Sequence, residues 1–165
     1  MKIYISIQVI LISIFSFLYC SENEKEDIRQ NELFNGKVKI LQAWQGDYSV
    51  DQLQLLPGNQ QENAVGYIGD EHSFSKIWNQ FKPDQTSPEI DFKDNLVLFA
   101  RNTQFYNRIA IGQVKLTDGV AEILAMETMS ALPIENNVAL SLAVVSRKGV
   151  KEIKVTDDLK IKIEF

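Results

Sequence analysis

The sequence predicts an α+β fold dominated by antiparallel sheet, on three observations. From residue 36 onward, short runs of alternating apolar and polar residues are separated by turn residues, which is the pattern of strands with one face turned inward. One stretch alone has helical spacing, with Phe74, Ile77, Trp78 and Phe81 at i, i+3, i+4 and i+7. The remaining runs follow one another without intervening helices, and no internal repeat is present, so strands pair with near neighbours.

Taken in order, Gly36 to Trp44 opens the sheet, and a loop containing Pro57, Gly58 and Asn59 leads to a strand from Ala64 to Gly69. The helix follows over about 71–82, with Asp70 placed to cap its N-terminus. Pro83 and Pro88 end it and bound a loop. Leu96 to Arg101, Arg108 to Leu116 and Val120 to Met129 are three strands, the last two joined by a Thr117-Asp118-Gly119 turn. Val138 to Ser146 sets Val138, Leu140, Leu142 and Val144 on one face and smaller residues on the other; Lys148-Gly149 then turns the chain toward a hairpin partner. Ile153 and Val155 precede an Asp157-Asp158 turn. Ile161, Ile163 and Phe165 alternate with Lys160, Lys162 and Glu164, so the last strand has one wet face. Seven or eight strands and one helix make a single domain over 36–165, a size that buries one core.

The first residues have a different character. Lys2 is followed by an apolar run from Ile3 to Leu18 broken by Ser6, Gln8, Ser13 and Ser16, and residues 20–35 then turn acidic, with Glu22, Glu24, Glu26, Asp27 and Glu32 against Lys25 and Arg29. Residues 1–19 read as an export signal and 20–35 as a flexible tether. Cys20 at the boundary resembles the lipidated cysteine of a bacterial lipoprotein signal, which implies a membrane-anchored protein of the cell envelope, periplasmic or surface-exposed. Tyr19 stands where the lipoprotein peptidase prefers a small residue, so an uncleaved membrane anchor and ordinary cleaved secretion stay open beside lipidation at Cys20.

The formal charge is −5 over 165 residues, and Lys2 carries the sole charge of the leader, so the remainder is one unit more negative. That sign argues against nucleic acid as a partner, since binding a phosphate backbone needs clustered Lys and Arg. Cys20 is the one cysteine, which leaves the folded part without a disulfide, a thiolate metal site or a cysteine nucleophile.

Trp78 and Phe81 in the helix, the text Pro88-Glu89-Ile90-Asp91-Phe92, and the apolar strand from Val97 to Phe99 resemble the C-terminal domain of the PrcB-like family of protease-complex subunits. The likeness covers about residues 65–147. It implies a non-catalytic exported domain that in some members is an accessory to a protease. Where the family has a glycine-rich turn, Arg101 to Asn107 has no glycine, and nothing is carried over there. Read physically, Trp78, Phe81 and Phe92 are core, Pro88 stops the loop, and Asp91 bonds backbone donors at a strand entry.

Asp70-Glu71-His72 is the most reactive-looking cluster and holds the one histidine. A general base near neutral pH is usually His, so a hydrolase built on His72 is the remote alternative. Acids in a first turn are otherwise explained by capping and the helix dipole, and no catalytic residue, metal set or cofactor motif is assigned. A carbohydrate- or small-ligand-binding module using Trp44 and Trp78 is the second alternative. The leading expectation is contact with another exported protein, for which the resemblance implies a protease, through Arg101, Phe105, Tyr106 and Arg108, because aromatic and Arg side chains in a turn suit binding surfaces. Mass spectrometry of the mature N-terminus tests the leader: a diacylated or triacylated peptide beginning at Cys20 is expected, and a peptide retaining Met1 overturns lipidation.

Overall fold

The computed structural model describes residues 36–129 and 132–164. Cys20, the signal at 1–19 and the tether at 20–35 lie outside the described residues, as does Phe165. Nine strands and one α-helix are described: β1 (Gly36–Val38), β2 (Ile40–Ser49), β3 (Val65–Ile68), α1 (Glu71–Phe81), β4 (Asn95–Arg101), β5 (Ile109–Thr117), β6 (Val120–Glu127), β7 (Asn137–Ser146), β8 (Glu152–Lys154) and β9 (Lys160–Lys162). They form a four-stranded sheet of order β2-β7-β4-β3 and a five-stranded sheet of order β1-β5-β6-β8-β9. The α+β class dominated by antiparallel strands is therefore the observed one.

Three details depart from the sequence reading. The opening strand is two strands, because the chain changes sheets at Lys39: Val38 pairs with Val114 of β5, whereas Ile40 pairs with Val145 of β7. This raises the strand number to nine and divides the expected single sheet into two. The second strand also runs on past Trp44 to Ser49 and passes into a short 3-10 helix, Val50–Leu55. Finally, Lys148-Gly149 does not make a hairpin. β8 pairs with β6 in parallel, Ala121 opposite Ile153. Parallel neighbours need a crossover, and β7 supplies it by running through the other sheet between them.

α1 forms where the apolar spacing predicts. Asp70 caps it by accepting the Ser73 N–H at 2.8 Å. Partial burial pushes the Asp70 carboxyl up, but the Ser73 hydrogen bonds and the nearby His72 outweigh that and hold it below the ordinary carboxylate range. The helix buries Phe74, Ile77, Trp78 and Phe81 against one face of the four-stranded sheet, where Tyr48, Val97, Phe99, Val138, Leu140, Leu142 and Val144 complete the cluster. Trp78 is 1% exposed, meets Trp44 edge-on at 5.0 Å, and donates its indole N–H to the Gln85 carbonyl at 3.1 Å. Phe92 reaches the same cluster, 5.9 Å from Phe74, while the Asp91 carboxylate accepts the Lys93 N–H at 2.9 Å. Pro88 sits half-buried in the loop between them.

The opposite face of that sheet, with Leu96, Leu98, Ala100, Ala139, Ala143 and Val145, is covered by the five-stranded sheet through Ile109, Ile111, Val114, Leu116, Ala121 and Ile153. Deep between the two sheets, the Ile111 N–H donates to the buried Ser141 hydroxyl at 3.1 Å. The layers are thus helix, sheet, sheet. At the outer edge of β3, the Tyr67 hydroxyl donates to the Lys162 carbonyl and accepts from the Glu164 N–H. The free N–H of Tyr67 on that edge is taken by the Gln60 side chain at 2.7 Å.

Across the helix-facing side of the sheet, Trp44, Leu142, Phe99 and Gly66 stand in one row of paired positions. Gly66 is required there by closeness, since a Cβ at that position would lie 2.6 Å from the Phe99 ring and would also strike Gln60. Gly66→Ala is expected to cost about 1–3 kcal/mol through forced repacking, read as a lower thermal midpoint. Gly58→Ala, which meets nothing within 4 Å, is expected to leave the midpoint unchanged or slightly raised; equal behaviour of the two variants would contradict the packing argument.

Candidate functional site

The connection from β4 to β5 and the connection from β6 to β7 lie side by side at one end of the sheets. Asn102 organises the first of them: its carboxamide oxygen accepts the N–H groups of Gln104 and Phe105, and its NH2 donates to Glu127 at 2.6 Å. The Tyr106 N–H then donates to the Leu132 carbonyl at 2.9 Å, and Phe105 pairs with Pro133 in an isolated antiparallel bridge. Arg108 closes the unit, donating its N–H to the Thr128 hydroxyl and accepting the Thr128 N–H at its carbonyl. The loop from Arg101 to Arg108 is therefore pinned at several points along its length despite having no glycine.

The four residues expected to meet a partner separate in this frame. Phe105 is 42% exposed and Arg108 is exposed. Tyr106 is half-buried and reaches across to β2, donating its hydroxyl to the Asp47 carboxylate at 2.6 Å. That hydrogen bond to a charged acceptor raises the phenol above its ordinary range, with slight burial and the Asp47 charge acting in the same direction and Arg108 acting against them. Arg101 is a correction, because its side chain is turned inward and 6% exposed. Its Nε donates to the Asn63 carbonyl at 3.0 Å and its NH2 to the Gln61 carbonyl at 2.6 Å, which clamps the segment before β3. Burial lowers the guanidinium pKa, and Glu62 partly offsets this. An Arg at a strand end offers no sequence signal that separates these two fates.

Sequence reasoning missed the apolar residues beside this loop. Met126, near the end of β6, is 69% exposed, and Met129 and Leu132, on the connection that follows, are fully exposed and 60% exposed. Alternation in β6 could have placed Met126 on the outer face, opposite Ala110. The other two lie past the strand end, where alternation carries no information. Two shallow cavities flank the Tyr106–Asp47 bond. One, of about 280 Å³, is lined by Asp47, Arg108, Gly46 and Ala139. The other, of about 290 Å³, is lined by Tyr106, Leu132, Pro133 and Glu135. Asp47 and Arg108 give the first cavity one acceptor and one donor of opposite charge, suited to holding a polar side chain.

The remaining candidates are placed elsewhere. Trp44 is half-buried and covers Trp78, so the two indoles form a packed pair rather than an open platform. His72 is exposed in the first turn of α1. The described residues contain no group of three or more His, Cys, Asp or Glu that could hold a metal ion, and no described helix is long and apolar enough to cross a membrane. Compared with family models, curated proteins and solved structures, the chain gives no match.

The Tyr106–Asp47 bond makes a measurable prediction. A phenol whose folded pKa is raised contributes stability that is complete below the ordinary tyrosine pKa of about 10 and is lost as pH rises through the higher folded value. The ultraviolet phenolate titration assigned to Tyr106, obtained by difference from Tyr106→Phe, is expected above the ordinary range and to move down in Asp47→Asn. An unchanged Asp47→Asn titration would refute the bond.

Proposed function

We propose that this chain is an exported protein, anchored in the cell envelope through Cys20, that binds or stabilises another exported protein and is not itself catalytic. The observation that carries the reading is the exposure of Phe105, Met126, Met129 and Leu132, on or beside the two connections that the Tyr106–Leu132 and Arg108–Thr128 bonds join. Four large apolar side chains at one end of a small protein are costly to leave in water and mark a surface that is covered in use. Met adapts to varied partners, while Phe, Tyr and Arg are the side chains that concentrate binding energy. The hydrogen bonds of Asn102, Tyr106 and Thr128 support the reading from another direction, since a loop ordered before association loses little entropy on binding.

Export and anchoring rest on the apolar run from Ile3 to Leu18, the acidic residues after it and Cys20. The suggestion that the partner is a protease rests on the PrcB-like resemblance between about residues 65 and 147. A carbohydrate-binding role for Trp44 and Trp78 has less support, because Trp78 is 1% exposed and an aromatic platform needs an open ring face. The hydrolase reading also has less support, since the exposed His72 stands at a helix cap.

The test uses partners captured from native envelope with the intact lipoprotein and identified by mass spectrometry. Replacing Phe105 and Met129 together by Ser is expected to lower recovery of the wild-type partner at least about tenfold, the loss of one or two interface anchors, with the thermal midpoint unchanged. Undiminished recovery by the folded variant would sink the assignment of the surface.

A further inference from the structure

The other end of β7 has the opposite chemistry. Past Ser146, a cleft of about 760 Å³ opens between the entry to β4 and the turn that leads to β8, and Lys93, Asp94, Arg147, Lys148 and Lys151 all line it. Four cations and one carboxylate therefore converge in a chain whose formal charge is −5. We propose that this cleft binds a phosphate group carried on a small polar ligand, with Lys93, Lys148 and Lys151 grasping the group beside a fixed Arg147.

The cations come from two segments distant in sequence, Lys93 before β4 and residues 147–151 after β7, and the fold brings them together. The Arg147 N–H donates to the Asp94 carbonyl at 2.8 Å, tying the exit of β7 to the entry of β4, and the Arg147 guanidinium donates to the Gly69 carbonyl at 3.0 Å. At Gly149 the backbone has φ 78°, a left-handed value that glycine adopts without strain, and the turn sends Val150 inward to 2% exposure while Lys148 and Lys151 stay outside. The stem of Lys151 lies on Gly119, where a Cβ would come within 3.0 Å of its Cδ, so its direction is set by packing. Lys151 is held at the backbone too, donating to the Gly119 carbonyl at 2.8 Å.

Charge selects the ligand class. Lys154 is paired with Glu122 and Asp157, whereas among the described residues no carboxylate lies within 4.0 Å of the Lys93, Lys148 or Lys151 ammonium. Asp94 offsets one of the three lysine charges in the cleft, which leaves two without counting Arg147. The excess suits a dianion better than a single carboxylate, and ammonium groups on residues lining one cleft suit the oxygens of a phosphate. The volume exceeds what one phosphate fills, which leaves room for the group that bears it. A free phosphorylated compound and a lipid headgroup both present this chemistry.

The experiment is calorimetric titration of the full-length chain, in neutral detergent, with pyrophosphate as probe. Saturable binding is expected, weakening as salt rises. The double variant Lys148→Ala/Lys151→Ala is expected to bind at least about tenfold more weakly, the loss of charge-assisted hydrogen bonds. The control Lys76→Ala/Lys115→Ala, which removes exposed lysines from α1 and β5, is expected to bind as the wild type does. Absence of saturable binding, or equal weakening in the control, overturns the site. Should the double variant have a lowered thermal midpoint, Lys148→Gln alone is the comparison, with intermediate weakening expected and wild-type affinity overturning the proposal. Competition by dihexanoyl phosphatidic acid, whose headgroup is a phosphate monoester, then distinguishes the sources: displacement of pyrophosphate assigns a lipid headgroup, and failure to displace assigns a soluble phosphate.

Discussion

Leu140, Leu142 and their neighbours on β7 are covered from two directions, and the rest of the structure is arranged around that double burial. Val138, Leu140, Leu142 and Val144 face α1 and its aromatic residues, while Ala139, Ser141, Ala143 and Val145 face the second sheet. The difference in side-chain size is what allows both layers to approach. Large residues fill the space under a cylindrical helix, whereas small ones let a second sheet lie close. A strand buried on both faces must also sit inside its sheet, and β7 has β2 on one side and β4 on the other. The one polar side chain on its inner face, Ser141, accepts the Ile111 N–H and so loses nothing by burial.

From this strand the places of the two proposed sites follow. Its N-terminal end receives the connections from β4 to β5 and from β6 to β7, and because those connections enter from different sheets they meet at the surface. Hydrogen bonds of Asn102, Tyr106 and Arg108 fix the first connection, and Phe105 on it and Met129 and Leu132 on the second are exposed. Its C-terminal end is where the chain turns back toward the second sheet, and the turn needs Gly149 in a left-handed conformation. Lysines on either side of that turn stay in water because the core beneath is already closed by Val150. The exposed apolar residues and the lysines stand at opposite ends of β7, each where the chain crosses between sheets.

The helix, most strand positions and the Asp118-Gly119 hairpin were legible in the sequence. Each depends on local rules: side-chain period, a capping carboxylate, and a turn needing two left-handed residues, here Asp118 at φ 53° and Gly119 at φ 85°. The break at Lys39 was not legible. Residues on its two sides carry the same alternation, and changing sheets alters the partner without altering the pattern. The same holds for β8, whose three residues read equally well beside β7 or beside β6. Site residues behaved likewise. Phe105 in a polar turn was identifiable as a surface aromatic, whereas the inward course of Arg101 depends on carbonyl groups of Gln61 and Asn63, some 40 and 38 positions away.

By itself, then, the sequence determined what each segment is: which runs alternate, where the single helix starts and stops, and which side chains are large enough to build a core. The tertiary structure decided what each segment touches. It divided the strands between two sheets, made β8 a parallel neighbour, drew Arg101 into the interior, and gathered Lys93, Arg147, Lys148 and Lys151 around one cleft. Periodicity and capping act over a few residues and leave their mark in the local sequence. Sheet membership and charge convergence are set by packing between distant segments, and no single segment records them.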